Sequence, residues 1–319
     1  MTNQDSTPGP RQPSQPTYTV EPTETHKHTI IFLHGLGSNG EKFGQEFLST
    51  GRTSSGLTLS ALLPSTRFIF PTAKWRRSSA FGRKKLTAWS DVARLDDPSY
   101  RQETQLQGLA ESAAAIRALL FEEVAHVGAG NVVLGGISNG CAMALSVLLS
   151  LEFALGGFFG MCGYLPFRKE IEAEVSGRSD DDGSNKAGER GDEDTDEDTD
   201  DSEDDLFEKS SNDGTTRPNE PALRAFHFER DLLCLDPLPD VTTVAQTASS
   251  TPVFLGHGDA DEKKPYKQGE AAARTMRAAG YCVEWRLYAG LGHWYKIPDE
   301  IDDIAEFISK KVGWEMRAV

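Results

Sequence analysis

The stretch Val132-Val133-Leu134-Gly135-Gly136-Ile137-Ser138-Asn139-Gly140-Cys141-Ala142-Met143-Ala144-Leu145 decides how the chain is read. A β-branched run enters Gly136-Ile137-Ser138-Asn139-Gly140, and a series of helix formers leaves it. This is G-x-S-x-G in the setting the pattern demands: a strand, a tight turn whose glycines tolerate a strained backbone, then a helix. Such a turn presents the serine hydroxyl at its apex. A glycine-rich turn with an incidental serine is the bland alternative, and the flanking strand and helix weigh against it.

Outward from this turn, short apolar runs alternate with helical patterns, which predicts an α/β fold with a mostly parallel sheet. The expected strands are Thr29–Leu33, Arg67–Phe70, Asn131–Leu134, Leu155–Met161, Pro252–Leu255 and Val283–Tyr288. Leu106, Leu109, Ala113, Ile116 and Leu120 recur at steps of three and four, as on one buried helix face. A second helix is expected over Lys267–Ala279. A last one follows Pro298 and Asp299, with Ile301, Ile304, Ile308 and Val312 inward.

A serine hydroxyl needs a base oriented by an acid, and after such an elbow these should follow in the order acid, then histidine. His257-Gly258-Asp259-Ala260-Asp261 follows one predicted strand, and Gly290-Leu291-Gly292-His293 follows the next. Both lie past strand C-terminal ends, where open α/β sheets bind ligands. Asp259 and Asp261 are both candidates for the acid, the other being free to cap a turn. His34 and His257 end earlier strands and are expected to be held by backbone groups. His26, His28, His126 and His227 have no reading beyond structure.

An oxyanion needs preorganised N–H donors. The Asn139 amide, directly after Ser138, is one candidate; the Leu36 amide in His34-Gly35-Leu36-Gly37 is the other. The same loop spells Gly35-Leu36-Gly37-Ser38-Asn39-Gly40, a literal G-x-G-x-x-G. A dinucleotide-binding reading would want an acid about 20 residues on, and none stands between Glu46 and Asp91.

Together Ile31–Gly37, Phe70-Pro71-Thr72-Ala73, Trp89-Ser90-Asp91, Leu134–Gly140, Gly163-Tyr164-Leu165-Pro166, His257–Asp261 and Gly292-His293 resemble the acyl-protein thioesterase and carboxylesterase branch of the α/β-hydrolases. The resemblance implies an α/β-hydrolase fold with helices on both faces of the sheet. It implies Ser138 as nucleophile, Asp261 as orienting acid, His293 as base, and Leu36 and Asn139 as oxyanion donors. Hydrolysis of acyl thioesters or carboxylic esters through an acyl-enzyme is the implied activity, without metal or cofactor, on an acylated protein or a small acyl ester. Two positions depart from the family elbow, G-F-S-Q-G-G: Asn139 replaces the glutamine and Cys141 a glycine, the latter with an expected effect on the acyl pocket. Trp89, Leu165 and Trp294 are expected substrate contacts. Phe158 and Phe159 are weighed as acyl-channel residues against ordinary core.

The 319 residues carry 49 Asp and Glu against 33 Lys and Arg, a formal charge of −16. That balance argues against a protein that holds nucleic acid by its phosphates. Asp180 to Glu208 alone hold 16 acids and 2 bases, net −14, which leaves 33 acids and 31 bases elsewhere, net −2. The segment has almost nothing to bury, so residues 176–218 are expected to form a disordered acidic insert within a single hydrolase domain, 18–319, behind a disordered tail, 1–17. Thr195, Thr199 and Ser202 are candidate phosphate acceptors there. Conversely, Lys74, Arg76, Arg77, Arg83, Lys84 and Lys85 place six bases in twelve residues around Trp75 and Phe81. A solvated loop is one reading of Lys74–Lys85. Peripheral contact with an anionic membrane is another, and attraction to the acidic insert a third. Cys141, Cys162, Cys234 and Cys282 make no C-x-x-C pair, and with no basic, apolar leader at the N-terminus a cytoplasmic location is expected. The rival reading is a hydrolase-like binding scaffold acting through its acidic segment; an intact Ser138, Asp261 and His293 in order speak against it.

Overall fold

The computed structural model describes residues 16–177 and 220–317. The segment Asp180–Glu208 and most of the N-terminal tail therefore lie outside the described residues. Nine strands are present among those described: β1 (Tyr18–Val20), β2 (His28–Leu33), β3 (Thr66–Phe70), β4 (Trp75–Ser78), β5 (Lys84–Thr87), β6 (Val132–Ile137), β7 (Gly157–Met161), β8 (Val253–Gly258) and β9 (Val283–Tyr288). Seven of them form one sheet in the order β1-β3-β2-β6-β7-β8-β9. All neighbours are parallel except β1, which runs antiparallel to β3. The strands before and after the acidic segment pair directly, Phe159 of β7 facing Phe254 of β8.

The helices are α1 (Gly40–Thr50), α2 (Leu59–Leu62), α3 (Leu106–Val127), α4 (Asn139–Leu149), α5 (Arg168–Ser176), α6 (Pro221–Leu232), α7 (Tyr266–Ala278) and α8 (Asp299–Phe307). Because side chains alternate across a strand, a sheet covered on both faces needs continuous apolar runs. In Thr29–Leu33, Ile31 and Leu33 pack toward α3, α4 and α7, while Ile30 and Phe32 pack toward α1 and α8. Phe158 and Phe159 divide in the same way and are fully buried, so both belong to the core. In the last helix Ile301, Ile304 and Ile308 are buried as their spacing predicts. Beyond Phe307 the turn widens to a π-helical stretch, Ile308–Val312.

Two expectations change. The basic segment is an antiparallel hairpin of β4 and β5, with Trp75 opposite Thr87 and Ser78 opposite Lys84. Cross-strand pairing and anchoring by Arg76, which donates to the carbonyl of Ala88 and pairs with Glu111 of α3, hold it. Neither feature leaves an apolar period in the sequence. The start of the insert also shifts, because Ser176 is the last residue of α5 and Gly177 its left-handed cap.

Glu229 of α6 is fully buried, and among the described residues neither carboxyl oxygen has a partner within hydrogen-bond geometry, although the Ser146 hydroxyl is near enough to oppose part of the effect of burial. Burial pushes its pKa up from 4.5 to about 8. Between those values the folded chain keeps a proton that the unfolded chain has released, so stability falls as pH rises through that window. Glu229→Gln removes this contribution. Its urea midpoint relative to the unsubstituted protein should therefore rise from pH 5 to pH 8.5, and parallel pH profiles for the two proteins would refute a protonated Glu229.

Candidate active site

Ser138 sits between the end of β6 and the start of α4 with φ 57° and ψ −121°. A non-glycine residue at positive φ is strained, and its neighbours explain why it is tolerated here. A Cβ on Gly136 would lie 2.4 Å from the Gly140 carbonyl carbon, and one on Gly140 would lie 2.3 Å from the Leu33 carbonyl oxygen. Only glycine at both positions lets α4 fold back against β6 and β2. The Ser138 amide donates to the Met161 carbonyl at 2.9 Å, tying the turn to β7.

Ser138 Oγ lies 2.8 Å from His293 Nε2, and His293 Nδ1 lies 2.7 Å from Asp261 Oδ2. A carboxylate only accepts, so Nδ1 carries the imidazole proton and Nε2 is left to accept from the serine hydroxyl. Asp261 follows β8 and is buried. Its Oδ1 accepts from the amides of Lys263 and Lys264 at 2.9 and 2.8 Å. His257 Nε2 stands 3.2 Å from Oδ2 and 2.9 Å from the Lys264 carbonyl. Burial alone would oppose ionisation of Asp261. The hydrogen bonds from His257, His293 and the Lys264 amide outweigh it and hold the carboxyl well below the usual carboxylate range. Asp259 instead accepts from the Gly290 amide at 2.6 Å, fixing the turn that carries His293.

The loop after β2 closes the other side. His34 is fully buried; its Nε2 accepts from the Ala73 amide at 3.0 Å and its Nδ1 lies 2.7 Å from the Gly35 carbonyl. Nδ1 therefore holds the proton, and burial lowers the pKa to about 4, so the ring is neutral. Carbonyl and N–H point in opposite directions across a trans peptide. Fixing the Gly35 carbonyl thus fixes the direction of the Leu36 N–H. Neither the Leu36 nor the Asn139 amide has a backbone acceptor among the described residues. The latter opens α4, where the first N–H groups have no partner within the helix.

The side chain of Asn139 is buried and braces this arrangement: Oδ1 accepts from the Trp89 amide at 2.9 Å and Nδ2 donates to Ser90 Oγ at 3.3 Å. Trp89 Nε1 donates to the His34 carbonyl at 2.8 Å. Trp89 is therefore buried behind the loop as a support, and it does not line the cavity that contains Ser138. Leu165 also lies outside that cavity and lines a smaller one with Pro166 and Gln268. Of the three expected substrate contacts only Trp294 lines the Ser138 cavity. Cys141 is likewise absent from it. The thiol is fully buried and fills the notch left by Gly160 and Gly163, where an added Cβ would lie 2.4 and 2.3 Å from its sulfur.

The cavity measures about 620 Å³, within the range that holds small-molecule ligands. Leu36, Ser138, Asn139 and His293 line it, together with the apolar Phe43, Phe81, Val92, Leu95, Ile137 and Trp294. Phe81, at the tip of the basic hairpin, links that hairpin to the site. Cys162, Asp261 and His293 form a group of potential metal ligands within 4.8 Å of one another. It suits a metal poorly. Burial keeps Cys162 a neutral thiol, which donates to the Trp294 carbonyl, while His293 and Asp261 are engaged with each other.

The sequence of residues 15–180 matches the family model described as phospholipase/carboxylesterase, and residues 230–314 match that of the prolyl oligopeptidase family. Acyl-protein thioesterase 1 of Yarrowia lipolytica is 32% identical over 160 residues, which is 50% of this chain and 66% of that protein. Acyl-protein thioesterase 1 of Kluyveromyces lactis is 24% identical over 288 residues, 89% of this chain and 92% of that protein. Among solved structures, acyl-protein thioesterase 2 of Zea mays superposes with a TM-score of 0.60 at 26% identity, over 94% of this chain and all of that one. The chain belongs to the phospholipase/carboxylesterase family of α/β-hydrolases, which includes the acyl-protein thioesterases, and is a serine hydrolase.

Proposed function

We propose that this hydrolase cleaves acyl thioesters, including those of acylated proteins, and the corresponding oxygen esters, with Ser138 as nucleophile, His293 as base and Asp261 as orienting acid. The observation that carries the reading is the unbroken hydrogen-bonded line from Ser138 Oγ through His293 to Asp261 at the wall of the cavity. Ser138 Oγ attacks the acyl carbonyl as its proton passes to His293 Nε2. The resulting oxyanion rests on the Leu36 and Asn139 amides. His293 returns the proton to the departing thiol or alcohol. It then takes one from water, which attacks the acyl-enzyme, and gives that proton back to Ser138 Oγ as the Oγ–acyl bond breaks and the acid leaves. The apolar lining suits the acyl chain.

The same reading extends to peripheral contact with an anionic membrane. Lys74 and Arg76 are paired with Glu111, but Arg77, Arg83, Lys84 and Lys85 have no ion-pair partner among the described residues. Trp75 and Phe81 on this hairpin are exposed, and Phe81 borders the cavity mouth. No helix among the described residues is long and apolar enough to cross a membrane.

Ser138→Ala should remove measurable hydrolysis of an acyl thioester, read by release of free thiol, while leaving the far-ultraviolet dichroism unchanged; near-normal turnover would sink the assignment. On vesicles, each base near an anionic surface contributes about 1 kcal/mol at low salt. Lys84→Gln with Lys85→Gln should then weaken sedimentation with phosphatidylserine vesicles by about ten-fold or more. Equal binding of the two proteins would exclude the hairpin from that contact.

A further inference from the structure

Lys264 stands out among the residues lining the Ser138 cavity. It is only 3% exposed, yet it borders a space of about 620 Å³. Its backbone is fixed on both sides of the α-carbon: the amide donates to Asp261 and the carbonyl accepts from His257. The ammonium has no carboxylate partner and no hydrogen-bond acceptor among the described residues. Its contact is the face of the Tyr164 ring, 4.0 Å from Nζ to the centroid, and Tyr164 is itself buried and held by its hydroxyl to Gln105. A buried cation without an oxygen partner is costly unless something offsets it, and an aromatic face replaces only part of its hydration.

We propose that Lys264 is a specificity-determining residue that receives an anionic oxygen group, a carboxylate, carried by the ester bound in this cavity. This rests on the hydrolase reading of the same cavity. Nζ has donors to spare, and beside the apolar lining of Phe43, Val92 and Leu95 it is the buried cation that such a substrate would meet. The wider charge pattern agrees. Lys42 and Lys263 also line the cavity, without ion pairs among the described residues, and Glu46 is the single acid among the described lining residues. Asp261 is committed to His293 and His257. Burial lowers the pKa of Lys264 to about 7, while Asp261 and the exposed Asp96 act in the opposite direction. A bound carboxylate adds to the latter two and holds the ammonium form. The same chemistry can arrive on the acyl chain or on the leaving thiol, and the substrates below separate the two.

The test uses the full chain and three thioesters read by thiol release: S-butanoyl-2-mercaptoethanol, which is neutral, S-glutaryl-2-mercaptoethanol, with the carboxylate on the acyl side, and S-butanoyl-3-mercaptopropionate, with it on the leaving side. Each kcat/KM is divided by that ester's alkaline hydrolysis rate. One of the two anionic thioesters should exceed the neutral one by ten-fold or more, mostly through KM. Lys264→Met should remove that preference and Lys264→Arg should restore most of it. A smaller preference in both anionic arms, or one that survives Lys264→Met, overturns the proposal. Inactivity of the unsubstituted protein on all three would instead strike the hydrolase reading beneath it.

Discussion

The backbone at Ser138 is the constraint on which the site depends. A residue with φ of 57° can be held there only because Gly136 and Gly140 let β6, α4 and β2 approach more closely than any side chain would allow. The strain is offset by what surrounds it: a fully buried helix α4, pairing of β6 to β2 and β7, and the bond from the Ser138 amide to Met161. A single turn thereby exposes the hydroxyl, leaves the next amide without a backbone acceptor among the described residues and starts the helix whose first N–H groups have no partner within it. Geometry, reactivity and electrostatic preorganisation share one local cause.

Two supports then aim the chemistry at that point. On one side Asp261 gathers four donors, the amides of Lys263 and Lys264 and the rings of His257 and His293, which keep it ionised despite burial. The carboxylate in turn fixes the tautomer of His293. On the other side neutral His34 clamps the Gly35 carbonyl, and Trp89 clamps the His34 carbonyl from behind. Asn139 joins the two halves, since its side chain bonds to Trp89 and Ser90 while its backbone amide opens α4 directly after Ser138. The replacement of the expected glutamine by Asn139 therefore bears on bracing. Cys141 is accommodated by the missing side chains at Gly160 and Gly163, away from the substrate space.

Much of this was legible because its signals are local. The apolar runs marked six strands of the sheet, and G-x-S-x-G with a later aspartate and histidine, each past a strand end, marked the residues that the fold brings into contact. What escaped depends on three-dimensional packing. Trp89 and Leu165 belong to recognisable motifs, but nothing in the spacing tells that one turns its indole N–H onto a carbonyl and the other opens onto a neighbouring cavity. The β4–β5 hairpin reads as a charged loop because its hold on the body is made by Arg76 and Glu111, 35 residues apart. Helix α6 hides because Glu229 and Arg230, buried polar residues, break its apolar stripe. Lys264, in a run of charged residues, gives no sign of being buried in the lining of the cavity that holds Ser138.

In the proposed mechanism Asp261, through His293, activates Ser138. The most direct measurement is the second-order rate at which a fluorophosphonate labels Ser138 in Asp261→Asn compared with the unsubstituted protein. An amide in place of the carboxylate favours the wrong imidazole tautomer, so the account predicts a fall of about a thousand-fold or more at neutral pH. Labelling within a few-fold of the unsubstituted rate would contradict it, leaving Ser138 reactive without the line of hydrogen bonds that the fold has built behind it.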